Sequence, residues 1–199
     1  MSFRLGLTGS IGMGKSTTAA MFAARGYPVW DADAAVHRLY APGGAAVNRI
    51  SQLHPAAIIA GAVSREVLRE ALAVDDTLLG QLESIVFPLV SADRAAFIDT
   101  ARKSGARIVV LDIPLLFETG VAAEMDGVAV VSTDAATQRA RVLARPGMTE
   151  VRFDLMLSRQ MPDAEKRARA DWIIPTDTLA TAEATVAAIC AELEGKPDA

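Results

Sequence analysis

The segment from residue 9 to residue 16 constrains the fold of this chain more than any other part of its sequence. It reads Gly-Ser-Ile-Gly-Met-Gly-Lys-Ser and matches the pattern G-x-x-x-x-G-K-[ST]. A strand pattern, Phe3–Leu7, comes directly before it, and a helical pattern, Gly14–Arg25, begins at its last glycine. Glycines let the backbone N–H groups converge on an anion, and the helix N-terminus adds partial positive charge. The segment therefore predicts a phosphate-binding loop for a nucleoside triphosphate, between a β-strand and an α-helix.

The residues of this loop have separate predicted roles. Lys15 is expected to reach the β- and γ-phosphates as a point charge, and the Ser16 hydroxyl is expected to bind Mg²⁺. The dinucleotide-binding pattern G-x-G-x-x-G is not matched, because Thr17 stands where its third glycine would be. The ATP-binding residues predicted from this loop are Gly12, Met13, Gly14, Lys15, Ser16 and Thr17.

Strand and helix patterns alternate along the rest of the chain, which predicts an α/β fold with a largely parallel sheet and helices on both faces. The strand patterns are Phe3–Leu7, Tyr27–Trp30, Arg107–Leu111, Gly127–Val131 and Asp171–Ile174. The helical patterns are Gly14–Arg25, Ala32–Tyr40, Ser64–Leu72, Thr77–Lys103, Asp134–Ala144, Thr149–Gln160 and Thr178–Leu193. Roughly 75 residues separate the second strand from the third, far more than one crossover needs. We therefore expect an all-helical insertion there.

Composition excludes several classes of protein. The 199 residues suffice for one domain with a sizeable core, and a net charge of −4 argues against bulk binding to nucleic acid or to an anionic membrane. No apolar run approaches the roughly 18 residues of a membrane span, and the first residues lack the order of a signal peptide. The single cysteine, Cys190, excludes an internal disulfide and shares a helical face with Val186, Ile189 and Leu193. We expect a cytoplasmic protein in which Cys190 is a core residue.

Basic residues are concentrated between Arg139 and Arg169. This segment has eight Arg and Lys residues against four Asp and Glu residues, so its net charge is +4 and the rest of the chain carries −8. One interpretation is a solvated helical face. The other is a mobile lid that closes over a polyanion, since arginine offers planar, bidentate donors to phosphate.

The motifs that the sequence lacks exclude some classes of nucleotide-binding protein. A GTPase would carry Asn-Lys-x-Asp, and the chain has no such tetrapeptide; its one asparagine is Asn48. A small chain with an insertion and an arginine-rich late segment favours a small-molecule kinase, in which a lid excludes water from the reaction. A regulatory module that uses ATP as a switch stays open as the alternative from a different class.

Carboxylates follow two of the predicted strands. Asp31 and Asp33 come directly after the second strand, where the carboxyl ends of parallel strands face a ligand crevice. Asp31 could instead cap the next helix, whereas Asp33 is the better candidate to deprotonate an attacking hydroxyl. The third strand ends in Asp112, the pattern of a carboxylate that supports Mg²⁺ in phosphate-loop proteins.

These motifs together resemble the dephospho-CoA kinase family. The resemblance rests on the loop from Thr8 to Thr17, on Asp31-Ala32-Asp33 and on Asp-Ile-Pro-Leu-Leu-Phe-Glu at 112–118, and it extends from about Leu5 to Ile174. It implies a five-stranded parallel sheet with helices on both faces, a helical substrate insertion and an arginine-rich lid. Within the single kinase domain, residues 1–199, we expect the nucleotide-binding core at 1–36, 105–133 and 170–199, the insertion at 37–104 and the lid at 134–169.

The resemblance also implies an activity and a set of site residues. Members of the family transfer the γ-phosphate of ATP, with Mg²⁺, to the ribose 3′-hydroxyl of dephospho-CoA, and these small molecules are the only partners expected. The implied catalytic residues are Lys15, Asp33 and Arg141, and Arg145 joins the ATP-binding set. Asp33, Arg65 and Leu115 are implied to bind the acceptor, and Ser16 and Asp112 to bind the metal. A kinase with a different small-molecule or nucleotide acceptor is the alternative within the same class.

Three segments depart from the pattern of the family. Phe87-Pro88 stands where the family usually has His-Pro, and Ile174-Pro175-Thr176 stands where an asparagine near the adenine is common. Leu53-His54-Pro55 replaces a Phe-Gly pair before the segment that contains Arg65. These departures concern acceptor and adenine contacts and leave the phosphate loop intact.

Overall fold

One five-stranded sheet organises the computed structural model, which describes residues 2–195. Its strands are β1 (Phe3–Thr8), β2 (Val29–Asp31), β5 (Ile108–Asp112), β6 (Gly127–Ser132) and β7 (Trp172–Pro175), in the order β2-β5-β1-β6-β7. β1 pairs in parallel with β5 and β6, and β6 pairs in parallel with β7. Every residue of β5 and β6 is buried, as expected for parallel strands covered by helices on both faces. The five-stranded parallel sheet predicted from the sequence is confirmed.

Helices connect and cover the strands. They are α1 (Lys15–Ala24), α2 (Ala32–Tyr40), α3 (Val47–Leu53), α4 (Arg65–Leu72), α5 (Thr77–Lys103), α6 (Ala135–Leu143), α7 (Glu150–Ser158), α8 (Asp163–Ala168) and α9 (Leu179–Gly195). Side chains that accept a hydrogen bond from the first turn stand before five of them: Asp31, Ser64, Asp134, Thr149 and Thr178. Within residues 2–195, no helix combines the length and apolar composition that crossing a membrane requires.

The chain divides into two compact units, and the larger one contains the sheet. It comprises the residues up to Trp30 and those from Thr100 onward. Its core joins strand residues such as Leu7 and Val110 to helix residues such as Phe22 and Ile189. Cys190 is 6% exposed within this core, which confirms its interpretation as a core residue. Burial also raises the pKa of its thiol above the ordinary value, which makes the thiolate less available.

The second unit, residues 31–99, has its own apolar core. Leu39, Ile50 and Leu82 are buried there, on three different helices. The expectation of an all-helical insertion is wrong, because two short antiparallel strands, β3 (Ile58–Ile59) and β4 (Ala62–Val63), lie in this unit. Each strand has two residues, too few for a period-2 pattern to be visible in the sequence.

Candidate active site

The predicted phosphate loop lies between β1 and α1, where the sequence places it. Gly12 and Gly14 have φ angles of 79° and 89°, a region that residues with a side chain rarely adopt. A Cβ atom on Gly12 would lie 2.4 Å from Val142 Cγ2, so α6 also closes the space around the loop. The side chain of Met13 is buried in the core, and its N–H donates to the Ser10 carbonyl oxygen at 3.2 Å. The backbone at Gly12 thus depends on glycine for both its conformation and its packing.

Lys15 and Asp112 form an ion pair at the ends of two neighbouring elements. Asp112 is the last residue of β5, and Lys15 is the first residue of α1. The Lys15 ammonium donates a hydrogen bond to Asp112 Oδ1, and the two side chains are 15% and 1% exposed. A carboxylate this deeply buried requires a compensating charge, and Lys15 supplies it. Two residues that the sequence assigns to phosphate and to metal therefore bind each other in this structure.

A pocket of about 320 Å³ lies beside the loop. Gly12 and Thr17 form part of its wall, together with Arg141, Arg145 and Thr176. Arg141 donates from Nη2 to the Thr176 carbonyl oxygen at 2.6 Å and from Nη1 to Thr176 Oγ1 at 3.3 Å. Arg145 is exposed, and no residue of the described range 2–195 forms an ion pair with it. The pocket therefore has one arginine held in place and one available to an anion.

Thr176 connects the end of β7 to the phosphate loop. Its hydroxyl donates to the Met13 carbonyl oxygen at 2.7 Å and lies 3.3 Å from the Ser132 carbonyl oxygen. The side chain is buried, and a Cβ atom on Gly14 would lie 3.3 Å from Thr176 Cβ. In the sequence this residue is visible only as a departure from the family pattern. In the structure it fixes the position of the loop backbone and one wall of the pocket.

Two glutamines hold the peptide groups of Ile11 from distant parts of the chain. Gln138 Nε2 donates to the Ile11 carbonyl oxygen at 2.8 Å, and Gln160 Oε1 accepts from the Ile11 N–H at 3.0 Å. Gln138 lies on α6 and is 6% exposed, and Gln160 follows α7. The sequence assigns neither glutamine a role. The structure shows that they position the loop.

A buried ion pair anchors α8 to the segment that follows β5. The Lys166 ammonium is fully buried, donates to Glu118 Oε1 at 2.8 Å and lies 3.4 Å from the Pro114 carbonyl oxygen. Glu118 Oε1 also accepts from the Met161 N–H at 2.8 Å. Burial raises the pKa of the Glu118 carboxyl, but the hydrogen bonds from Lys166 and Met161 outweigh it, so the pKa lies below the ordinary value. The charged form of Glu118 is therefore the stable one in the folded protein.

We expect Glu118→Ala to destabilise the protein by about 3 kcal/mol, because it leaves the buried Lys166 charge without a carboxylate. The double variant Glu118→Ala/Lys166→Met should recover part of that loss. Since the folded-state pKa of Glu118 is lowered, its stabilising contribution should be present above the unfolded-state pKa and should be lost as the pH falls through the folded-state value. Chemical denaturation at several pH values measures both effects. A Glu118→Ala variant as stable as the wild type would contradict the stabilising role of the ion pair between Lys166 and Glu118.

The basic residues between Arg139 and Arg169 have different surroundings in the structure. Lys166 is buried, Arg139 pairs with Glu150, and Arg169 lies 4.0 Å from Glu165. Arg141 and Arg145 alone among these residues line the pocket beside the loop. The exposed pairs fit the interpretation of a solvated face, while the lid stays a prediction.

The predicted acceptor residues are distributed over the two units. Asp31 caps α2, since its Oδ1 accepts from the Ala34 N–H at 2.9 Å, whereas Asp33 is exposed on the first turn. Arg65 begins α4, and its guanidinium carbon lies 5.8 Å from the centre of the Tyr40 ring. Leu115 is in the larger unit and is 39% exposed. The capping interpretation of Asp31 is confirmed, and Asp33 presents an exposed carboxylate that caps no helix.

The protein offers few ligands for a metal ion. Ser16 is exposed on the first turn of α1, and Asp112 is buried beside Lys15. Across residues 2–195 there is no group of three or more His, Cys, Asp or Glu side chains that could hold a metal. Mg²⁺ commonly binds through one or two protein groups, several waters and the phosphates of a substrate. The residues present fit that mode of binding and do not fit a metal site built by the protein alone.

Comparison with known proteins supports one family. The sequence model of the family described as dephospho-CoA kinase matches residues 3–181. A curated dephospho-CoA kinase from Cereibacter sphaeroides is 59% identical over 197 residues, which cover 99% of this chain and 98% of the relative. The protein in the crystal structure of TT1252 from Thermus thermophilus is 33% identical in sequence to this chain. The two structures have a TM-score of 0.84, and the match covers 98% of this chain and 99% of that one. A dephospho-CoA kinase structure from Campylobacter jejuni, at 19% identity, shares the fold with a TM-score of 0.68, over 96% of this chain and 97% of that one.

Proposed function

The chain belongs to the dephospho-CoA kinase family, and from that premise we propose how its own residues carry out the reaction of the family. The activity is the ATP-dependent phosphorylation of dephospho-CoA, which gives CoA and ADP in the final step of coenzyme A biosynthesis. The acceptor atom is the oxygen of the ribose 3′-hydroxyl. The bond between this oxygen and the γ-phosphorus forms while the bond from that phosphorus to the β,γ-bridging oxygen breaks, and ADP leaves.

The phosphate loop binds the triphosphate of ATP. Backbone N–H groups from Gly12 to Thr17, at the N-terminus of α1, face the phosphate oxygens in this proposal, and Gln138 and Gln160 keep the loop in position. Lys15 exchanges its bond to Asp112 for contact with the β- and γ-phosphates. The pocket beside the loop, with Arg145 on its wall, takes the rest of the nucleotide.

Ser16 and Asp112 would hold Mg²⁺ when it arrives with ATP. Its chemistry there is to neutralise charge on the phosphate oxygens as the γ-phosphate is transferred. The exposed Ser16 hydroxyl would contact the ion directly. Asp112, once Lys15 has turned to the phosphates, would bind it directly or through a water molecule.

Asp33 accepts the proton of the attacking hydroxyl. It is exposed, and within its own unit, residues 31–99, its carboxylate has no hydrogen-bond partner. Asp31 uses one carboxylate oxygen to cap α2, which makes it the less suitable of the two carboxylates. Arg65, at the start of α4, and Leu115, which is 39% exposed, contact the acceptor.

Arg141 and Arg145 stabilise the negative charge that is transferred. We place them in a lid of residues 134–169, with the core at 1–36, 105–133 and 170–199 and the acceptor-binding insertion at 37–104. Arg141 acts from a position fixed by Thr176, while Arg145 approaches from an exposed position. Excluding water at this stage directs the phosphate to the acceptor and prevents hydrolysis of ATP.

The observation that supports this proposal most strongly is identity of 59% across almost the whole chain, together with an intact phosphate loop. We expect purified protein with Mg-ATP to release ADP at least about tenfold faster with dephospho-CoA than with AMP, shikimate or no acceptor. Equal or higher turnover with another acceptor would favour a different small-molecule kinase. ATP binding without any acceptor-dependent ADP release would favour the regulatory alternative.

A further inference from the structure

Ile11 joins the phosphate loop to two distant parts of the chain. Its carbonyl oxygen accepts from Gln138 Nε2 at 2.8 Å, and its N–H donates to Gln160 Oε1 at 3.0 Å. The two glutamines lie directly before and directly after residues 139–159, which we call the flanked segment. Both ends of this segment therefore meet at one residue of the loop.

The bond from Gln138 fixes the direction of a neighbouring N–H group. No peptide bond of the described range, residues 2–195, is cis. In a planar trans peptide, the carbonyl of one residue and the N–H of the next point to opposite sides. Because Gln138 holds the Ile11 carbonyl, the Gly12 N–H points away from Gln138. Among residues 2–195 no group accepts a hydrogen bond from this N–H, so it is available to a phosphate oxygen.

The Ile11–Gly12 peptide is the central peptide of a turn. The Met13 N–H donates to the Ser10 carbonyl oxygen at 3.2 Å, and Gly12, the third residue of this turn, has a φ angle of 79°. A positive φ at the third residue is the mark of a type II turn. Types I and II differ mainly in the orientation of the central peptide. The Gln138 bond therefore acts on the group whose rotation would convert one type into the other.

Gln160 acts on the preceding peptide of the same turn. It accepts from the Ile11 N–H, so by the same geometry the Ser10 carbonyl points away from Gln160. That carbonyl is the acceptor that closes the turn with the Met13 N–H. The two glutamines thus fix two consecutive peptides, and together they favour the turn that presents the Gly12 N–H.

The flanked segment is attached firmly at its ends and is exposed in its middle. Gln138 is 6% exposed on α6, and directly after Gln160 the Met161 N–H donates to Glu118 Oε1 at 2.8 Å. Between these ends, residues 144–147 are all exposed, and α7 buries only Phe153. The bonds to Ile11 are therefore the points at which the ends of the segment act on the phosphate loop.

We propose that Gln138 and Gln160 are positioning residues through which the two ends of the flanked segment set the affinity of the phosphate loop for ATP, which rests on the function proposed above. With both bonds made, the central peptide of the turn presents its N–H to the phosphates. When either bond is lost, this peptide is free to rotate and to present its carbonyl oxygen, which repels them. Because such coupling is reciprocal, bound ATP holds both ends of the segment at Ile11.

Two variants with a matched control test this role. Gln138→Met and Gln160→Met each remove one hydrogen bond and keep an unbranched side chain of similar size. Gln52→Met is the control, because Gln52 is exposed on α3, in the other unit. Calorimetry with Mg-ATP would measure affinity without any need for turnover, and steady-state kinetics would give KM for ATP and for dephospho-CoA. Thermal denaturation would show whether each variant is folded.

We expect each of the two variants to bind ATP about tenfold more weakly and to raise KM for ATP by a similar factor, with KM for dephospho-CoA unchanged. The control should bind ATP as the wild type does. Because both bonds support one turn, the double variant should lose about as much affinity as either single variant. A folded Gln138→Met variant with the ATP affinity of the wild type would overturn the proposal. An equal rise of KM for both substrates would also overturn it, since a general loosening of the fold would then explain the loss.

A second pair of variants tests the direction of each hydrogen bond. Gln160→Glu keeps an acceptor for the Ile11 N–H, whereas Gln138→Glu places a carboxylate oxygen against the Ile11 carbonyl oxygen. Both substitutions add the same charge beside the same residue. At pH 8, where glutamate is ionised, Gln138→Glu should bind ATP at least about tenfold more weakly than Gln160→Glu does. Equal affinities would overturn the proposal, because the added charge alone would then account for the loss.

The result also distinguishes this inference from the proposed function. Turnover of dephospho-CoA by the wild type, with unchanged ATP affinity in both methionine variants, would overturn the role of the two glutamines and leave the function intact. No turnover by the wild type, with ATP binding that the methionine variants weaken, would overturn the function and support the role of the glutamines.

Discussion

Lys15→Ala is expected to lower kcat with dephospho-CoA by about a thousandfold. The ammonium group is the one side-chain cation of the phosphate loop, Gly9 to Ser16, and its charge is needed most when negative charge moves between the phosphates. Single-turnover measurements with saturating Mg-ATP would give the rate of the chemical step. A rate within about tenfold of the wild type would contradict the role of Lys15.

The ion pair with Asp112 requires a control for that experiment. Removing Lys15 leaves a carboxylate that is 1% exposed without its cation, so Lys15→Ala also destabilises the fold. The double variant Lys15→Met/Asp112→Asn removes both charges and should recover part of the lost stability. Turnover should stay low in the double variant as well, because the ammonium group is still absent. Low turnover in a variant of recovered stability would show that the loss of rate does not come from the loss of stability. Denaturation midpoints measured for both variants, beside their rates, would make this comparison.

Asp33→Asn is expected to lower kcat by a factor of about a hundred to ten thousand, the range of a general base, while the affinity for ATP is retained. Asparagine preserves the size of the side chain and its place on the first turn of α2, and it removes the capacity to accept the proton. The affinity for ATP is expected to survive because the phosphate loop is unchanged. Steady-state kinetics and calorimetry with ATP measure the two quantities separately.

The neighbouring carboxylate provides a matched control. Asp31→Asn changes the same functional group two residues away, and asparagine is as good a helix cap as aspartate. Its kcat should therefore stay close to that of the wild type. If Asp33→Asn also stayed within about threefold, Asp33 would have to be removed from the role of base.

Local patterns predicted the main elements of the fold. The helices Ala32–Tyr40 and Thr77–Lys103 are observed with the bounds that the periodicity predicts, although Pro88 lies inside the longer one. The hairpin at 58–63 and the helices α3 and α8 were missed. These elements have two to seven residues, so neither a period of 2 nor one of 3.6 can be recognised in them. Tertiary packing, which the sequence does not display, stabilises such short elements.

The position of the phosphate loop was predictable because one continuous motif contains all of its parts. The positions of Asp33 and Asp112 were predictable because each comes at or just after the end of a strand, where ligands of parallel sheets usually bind, and their roles stay predictions. The contacts of Gln138 and Thr176 with the loop join residues more than a hundred positions apart. Lys166 belongs to a basic segment and nevertheless is fully buried against Glu118. No periodicity or spacing records such pairs, because the fold alone brings them together.

The identity of the phosphorylated product tests the central claim most directly. The reaction of wild-type protein with Mg-ATP and dephospho-CoA would be analysed by mass spectrometry, by chromatography beside authentic CoA and by ³¹P NMR. The account predicts a product heavier by one phosphoryl group, which elutes with CoA and carries a phosphomonoester on the ribose 3′-oxygen, formed in equal amount to ADP. ADP without a phosphorylated acceptor, or a phosphate at another hydroxyl, would contradict it.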